Sequence, residues 1–415
     1  MNQSKVQPLD STQLWQFIPI SQYTRPPKPL EETVRQGIIG IFQKLWPTKE
    51  ITDLPLTQKE LTVIPLTKLD RIVPSPDWTG AANALNSALD EWVKSGVSKG
   101  NVAVVLCHPF EGTQEVLTTW GKDRNWLILD PPPRTEILNE DLNWIEHNIK
   151  TRNNPFVVPN LEYCYLRHEN GLKLIRKLFN WLWSNSCQCV MGIDSWAWTY
   201  LKQIMKIDTY ARTILVLKPL DYERLNIWFK SLFRQSTRSN YFFRETTTGK
   251  YVLSLELPIK DAKKPPRYDN NFLKNLAGYS SGLPLVSWEI WRSSLRTDPD
   301  EELLLKEDEL EMDPRNKRRT IWVLPWEKVE LPIIPENVKR NESHIFHALL
   351  LHNGLSIEFL SQILPISLEE VTQSLNKLKR LGLIENKGDN WVVSALAYPR
   401  IREFLNSEGY SIDDI

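Results

Sequence analysis

The chain has 415 residues, of which 41% are hydrophobic and 25% are charged, a composition typical of a globular protein with room for two or three domains. Lys plus Arg and Asp plus Glu each number 51, and this balance argues against a protein that coats nucleic acid or an anionic membrane. No apolar stretch of about 18 residues occurs, and the N-terminus lacks an apolar signal core. We therefore expect no transmembrane segment and a cytoplasmic location.

Cysteines and histidines give no sign of a disulfide scaffold or a metal site. The four cysteines are few and scattered, and Cys187 and Cys189 form C-x-C without a histidine at zinc-finger spacing. We interpret them as small hydrophobic residues of a buried strand, and we assign no metal.

Residues 1–75 contain many prolines and short apolar pieces, which predict an N-terminal arm wrapped over a core. Residues 76–235 then alternate apolar runs with amphipathic helical patterns, as expected of right-handed crossovers in a parallel sheet. The predicted strands of this α/β core are 102–106, 126–129, 189–194 and 213–217.

The segment NVAVVLCHPFEGTQEVLTTW, residues 101–120, resembles the strand, phosphate-binding loop and helix of a P-loop ATPase. The pattern G-x-x-x-x-G-K-[ST] places Cys107 at the first glycine, Gly112 at the second, Thr113 at the lysine and Gln114 at the serine or threonine. Only Gly112 matches. Phosphate transfer needs the lysine charge at the β- and γ-phosphates and the hydroxyl on magnesium. The sequence therefore predicts a degenerate nucleotide slot that does not hydrolyse ATP.

A later strand of the core ends in VMGID, at Asp194. In P-loop ATPases a comparable strand ends in an aspartate at the magnesium site, followed by a glutamate that activates water; here Ser195 stands at the glutamate position. Asp194 could equally cap the following helix through its backbone N–H groups. The sequence leaves both interpretations open.

Residues 236–297 resemble the helical lid of AAA+ and STAND ATPases, because a helix and a glycine turn precede a G-L-P that opens the next helix. Pro284 stands where proline is favoured, just inside a helix start. Residues 298–320 follow, with nine acidic residues up to Asp313 and then four basic ones. Such blocks predict an exposed linker or insertion, with a docking segment for a basic partner as the alternative.

Residues 336–415 predict a winged helix-turn-helix domain: three helices, the third with a capping box at Ser367 and Glu370, and then a short hairpin. In a DNA-binding version the third helix enters the major groove. The candidate DNA-binding residues are then Gln373, Asn376, Lys377 and Arg380, with Lys387 on the wing. This range carries eight basic and eleven acidic residues, a balance that favours protein interaction over DNA binding.

The predicted fold class is thus α/β, a parallel-sheet P-loop NTPase-like core with a helical lid, followed by a small α+β winged-helix domain. The predicted function is that of a catalytically degenerate, AAA+- or STAND-like regulatory or adaptor protein with a protein partner. No cofactor is expected, ATP with magnesium being the alternative. Two other functions stay open: a DNA-binding transcriptional regulator whose α/β domain senses a ligand, and an active ATPase that uses a lysine from elsewhere, such as Lys122.

Overall fold

A computed structural model of the protein describes residues 14–26, 61–140, 143–149, 154–236, 240–253, 268–298, 318–336, 338 and 340–413. Most of the predicted arm and of the predicted charged linker lies outside these residues. The chain divides into two compact units, the first drawn from 1–14, 25–77 and 219–330 and the second from 15–24, 78–218 and 331–415. Both units are discontinuous along the chain. The continuous ranges predicted for arm, core, lid, linker and C-terminal domain stay predictions.

The secondary-structure elements are numbered in chain order. The strands are β1 (Phe17–Pro19), β2 (Thr62–Val63), β3 (Ser98–Lys99), β4 (Asn101–Cys107), β5 (Leu127–Ile128), β6 (Phe156–Val158), β7 (Ser186–Asp194), β8 (Thr213–Leu217), β9 (Asn240–Glu245), β10 (Leu295–Thr297), β11 (Arg318–Val323), β12 (Ile384–Lys387) and β13 (Asn390–Val393). The α-helices are α1 (Leu66–Ile72), α2 (Thr79–Lys94), α3 (Thr113–Asp123), α4 (Arg134–Leu138), α5 (Asn143–Asn148), α6 (Lys173–Ser184), α7 (Ser195–Met205), α8 (Tyr222–Ser236), α9 (Asn271–Tyr279), α10 (Pro284–Ser294), α11 (Arg340–Leu351), α12 (Ile357–Ile363), α13 (Leu368–Arg380) and α14 (Tyr398–Ser407).

The second unit is built on a sheet with the strand order β1-β8-β4-β7-β6-β5. Strands β4 to β8 are mutually parallel, whereas β1 runs antiparallel along β8. Every residue of the central strand β4 is buried, as expected of a parallel strand covered on both faces. The predicted α/β fold class with a parallel-sheet core is confirmed.

Three strands of this sheet were not predicted, and one of them is the two-residue strand β3, which pairs antiparallel with β7. Strand β6 has three residues between Pro155 and Pro159, too few for a periodic signal to separate it from a loop. Strand β1 belongs to the range predicted as an N-terminal arm, and its pairing with β8 depends on residues about 200 positions away. The core sheet is therefore wider than the four predicted strands.

The C-terminal part of the second unit has the predicted order of elements, three helices and then the hairpin β12–β13. Helix α12 is capped by Ser356, whose hydroxyl accepts a hydrogen bond from Phe359 N at 3.4 Å. Helix α13 begins with the predicted capping box, in which Ser367 and Glu370 each bind the other's backbone N–H. These local signals fixed the starts of both helices.

Side chains of the α/β core bind the C-terminal end of α11. The helix ends at Leu351, and the four consecutive carbonyls of residues 351–354 each accept a hydrogen bond from a side chain of the core. Leu351 O accepts from Tyr165 Oη (2.9 Å), His352 O and Gly354 O from Arg134 (2.6 and 2.5 Å), and Asn353 O from Tyr163 Oη (3.2 Å). The C-terminal helices are thus joined to the core by hydrogen bonds that neither part could make alone.

The first unit contains the sheet β2-β10-β11-β9, in which β9 and β11 are parallel, together with helices α1, α8, α9 and α10. Pro284 is the first residue of α10, as predicted. The turn before it needs glycine, because Gly282 has a φ of +74° and a Cβ there would lie 2.7 Å from Leu220 N. None of the described helices of either unit is long and apolar enough to cross a bilayer.

We predict that Arg134→Ala destabilises the second unit by about 2–4 kcal/mol, because it leaves two carbonyls of the segment after α11, those of His352 and Gly354, without these donors. Urea unfolding followed by circular dichroism measures the change. As the control, Arg380→Ala removes an exposed arginine of α13, and we expect its effect to stay within about 0.5 kcal/mol. Equal effects of the two variants would contradict the role given to Arg134.

Candidate functional site

The loop between β4 and α3 occupies the predicted phosphate-loop position, and its backbone lies against an aromatic side chain. Gly112 precedes α3 with a φ of +72°, a conformation that glycine adopts readily. A Cβ on Gly112 would lie 2.2 Å from Cζ2 of Trp78. Close packing against the Trp78 indole therefore explains why position 112 is a glycine, the one residue that matches the phosphate-loop pattern.

Two further aromatic side chains cover the same loop. The Phe110 ring lies 5.3 Å from the Tyr398 ring, and the buried His108 ring stacks on Tyr23 at 5.3 Å. Phe110 has a φ of +69°, uncommon for a bulky residue and typical of functional or strained turns. The loop is filled by side chains of the protein itself.

Asp413 places a carboxylate at this loop. Its side chain is fully buried, and its Oδ2 accepts hydrogen bonds from Ser195 Oγ at 3.2 Å and Tyr398 Oη at 3.3 Å. Oδ1 accepts from Arg402 Nε, and Nε2 of His108 lies 3.7 Å from Oδ2. Donors from the start of α7 and from α14 thus converge on one carboxylate, and the His108 ring of the loop lies beside it.

Three more buried carboxyl groups surround the ends of β4 and β7. Glu111 Oε1 lies 3.1 Å from His108 Nδ1, and its Oε2 has no hydrogen-bond partner among the described residues. Glu162 accepts a hydrogen bond from Asp194 N at 3.4 Å, and burial raises the pKa of the Glu162 carboxyl to about 7. Burial, and then the charge of Glu162, raises the pKa of Asp194 well above its usual value. The site is acidic, whereas a phosphate site offers positive charge and N–H donors.

The structure brings most of the predicted slot residues together. Cys107 and Asp194 are direct partners in the β4–β7 pairing, and Thr113 and Ser195 are buried first residues of α3 and α7. Gln114 is exposed. Asp194 Oδ1 accepts from Trp196 N at 2.8 Å, so the helix cap proposed as one of its two interpretations is present.

Sequence patterns gave no indication of the acidic members of this site. Glu111, Glu162 and Asp413 match no catalytic spacing, and Asp413 bonds to a residue 218 positions away. The one sequence signal for the site was a single acidic residue among apolar neighbours. Many surface positions show the same pattern, so it does not identify a site. Among the described residues, no three His, Cys, Asp or Glu side chains are arranged to hold a metal ion.

The candidate DNA-binding residues lie on α13 and the hairpin. Gln373, Asn376 and Arg380 are exposed. Lys377 is half-buried and its Nζ lies 2.9 Å from Glu342 Oε1, while Lys387 Nζ lies 3.0 Å from Glu385 Oε1. Two of the three predicted cations therefore already have an acidic partner.

Comparison with known proteins gives likeness to solved structures alone, since no family model and no curated protein matches the sequence. The Walker-type ATPase of Pyrococcus abyssi is 12% identical with a TM-score of 0.32, over 79% of this chain and 96% of that chain. The ORC2 protein of Aeropyrum pernix, in its ADPNP and ADP complexes, is 10% identical with a TM-score of 0.37, over 81% and 95%. A RuvB variant of Thermotoga maritima is 11% identical with a TM-score of 0.32, over 81% and 95%. Likenesses of this size carry no conclusion about function.

We predict that Glu162→Gln removes a pH dependence of stability. The Glu162 pKa is about 7 in the folded protein against an ordinary value of 4.5, so the folded state binds this proton more tightly. Its contribution is complete below pH 4.5 and is lost as the pH rises to about 7, by about 3 kcal/mol. Urea unfolding at several pH values should give a smaller decline for Glu162→Gln than for the wild type.

The exposed Glu115 provides the matched control, because Glu115→Gln changes the same functional group at the surface of α3. Its pH profile should follow that of the wild type. If Glu162→Gln also follows the wild type, the buried carboxyl is not the titrating group.

Proposed function

We propose that the protein is a non-catalytic, ATPase-like regulatory or adaptor protein that acts through protein contacts. The observation that supports this most is the buried Asp413 carboxylate at the loop between β4 and α3. A phosphate loop offers backbone N–H groups and a lysine to an anion. This loop offers Thr113 instead of the lysine and is covered by Trp78 and Tyr398.

The repulsion between a carboxylate and the phosphates of ATP can be compared with a typical free energy of binding. Two like unit charges about 4 Å apart repel by about 4 kcal/mol at an effective dielectric constant near 20, whereas a micromolar affinity is worth about 8 kcal/mol. One ionised carboxylate beside the phosphates therefore removes about half of such an affinity. The residues present do not fit ATP with magnesium, and we derive no step through them.

The alternative of an active ATPase that borrows Lys122 meets a geometric obstacle. Lys122 lies in the last turn of α3, about 14 Å along the helix axis from Thr113. A lysine side chain spans less than half of that distance. A lysine for this loop would have to come from another element or another chain.

The DNA-binding alternative has one observation in its favour, the exposure of Gln373, Asn376 and Arg380 on α13. Phosphate contacts supply most of the affinity for DNA, and Lys377 and Lys387 are paired with glutamates. These ion pairs favour protein binding over DNA binding for the exposed face of α13.

We predict that calorimetric titration with ATP and magnesium shows no binding to the wild type, and that no phosphate is released. The double variant Thr113→Lys with Ser195→Glu should also release none, because Trp78 and Asp413 still fill the loop. A circular dichroism spectrum confirms that both proteins are folded. Tight ATP binding with measurable turnover by the wild type would contradict the non-catalytic assignment.

We predict that the full chain recovers a stoichiometric protein partner from nuclease-treated cell extract, and that Arg380→Glu lowers the recovery at least several-fold, because the reversed charge lies on the exposed face of α13. Lys122→Glu, a charge reversal on α3, is the control and should recover the partner at wild-type level. Quantitative mass spectrometry measures both. Recovery of DNA without nuclease, in place of a protein, would favour the transcriptional alternative.

A further inference from the structure

The contacts of Asp413 reach far beyond its own segment of chain. Arg402, on the neighbouring helix α14, donates to Oδ1 and also, through Nη2, to the backbone O of Asp413 at 3.2 Å. Ser195 and Tyr398 donate to Oδ2, and His108 faces the same oxygen. A purely local ion pair between Arg402 and Asp413 would need none of the last three residues.

The donor set matches a single carboxylate. One oxygen receives a charged guanidinium donor, which gives a short and strong hydrogen bond, and the other receives two hydroxyl donors. Trp196 Nε1 donates to Tyr398 Oη at 3.3 Å, which leaves the Tyr398 hydroxyl hydrogen available for Asp413. A phosphate would bring further acceptor oxygens next to the buried Glu111 carboxyl, whose Oε2 has no hydrogen-bond partner among the described residues. The chemistry of the site therefore selects carboxylate over phosphate.

We propose that His108, Ser195, Tyr398 and Arg402 form a carboxylate-binding site, which Asp413 occupies within the same chain and which a free small carboxylate occupies once the Asp413 side chain is removed. This proposal rests on the proposed non-catalytic function, because a nucleotide bound at the loop would compete with Asp413 for the same space. The proposed ligands of this site are small monocarboxylates.

The test uses the full chain with Asp413→Ala and acetate as the probe. The variant should unfold at a lower temperature than the wild type, because it leaves buried donors without an acceptor. Acetate should raise its Tm by about 3 °C at concentrations well above Kd, compared with chloride at the same ionic strength. The wild type should show no such rise, since its site is filled.

Two control variants separate a site from a general salt effect. Asp389→Ala removes an exposed aspartate of the hairpin turn, and acetate should not act on it. The double variant Asp413→Ala with Arg402→Ala also lacks the Asp413 carboxylate, but it has lost the charged donor as well. The acetate effect should therefore disappear. If Asp413→Ala does not fold in chloride, its refolding yield in acetate against chloride gives the same readout, and equal yields would count against the site.

Equal acetate shifts for Asp413→Ala and Asp389→Ala would overturn the proposal. Inorganic phosphate that stabilises Asp413→Ala more than acetate does would also overturn it, because the site would then be a phosphate site. Failure of the acetate effect without ATP turnover leaves the non-catalytic function intact. ATP turnover by the wild type would instead contradict that function, so the two failures are distinguishable.

Discussion

Burial of carboxylates at the carboxyl ends of β4 and β7 is the constraint on which the rest of the second unit depends. An isolated carboxylate is costly to bury, and it stays ionised only when hydrogen-bond donors surround it. Asp413 accepts hydrogen bonds from the first residue of α7 and from α14, and the His108 ring of the loop after β4 lies beside it. One buried side chain therefore holds these three elements in one arrangement.

A second set of hydrogen bonds joins the C-terminal helices to the α/β core. The last residue of α11 and the three residues after it present carbonyls to the core, which supplies donors from Arg134, Tyr163 and Tyr165. Separation of the two parts would expose those carbonyls and the buried His352. Polar groups, rather than apolar area alone, thus make the second unit one structure.

The same acidic site decides what the loop after β4 can do. A parallel sheet places its loops at one edge, where ligands of α/β proteins commonly bind. Here that edge carries Glu111, Glu162, Asp194 and Asp413, and aromatic side chains cover the backbone of the loop. Carboxyl groups and aromatic side chains thus lie where a phosphate-binding loop would offer N–H donors and a lysine.

The sequence by itself determined the elements whose signals are local. The strand β8 has the predicted bounds, the apolar run of β4 is fully buried, and Ser367 with Glu370 forms the predicted capping box. Each of these depends on neighbours within a few residues, so periodicity and capping chemistry are sufficient. The missing lysine at Thr113 was equally visible, because a motif is a local spacing.

Only the tertiary structure decided what replaces the missing chemistry. The indole of Trp78 against Gly112, the short strand β6 between two others, and the carboxylate of Asp413 bonded to Ser195 all join residues that are far apart in the chain. No pattern within a window of ten or twenty residues encodes such contacts, because burial and hydrogen bonding depend on which surfaces meet after the chain has folded. The sequence shows that the lysine position of the motif carries Thr113, and the tertiary structure shows that the Asp413 carboxylate lies beside the loop after β4.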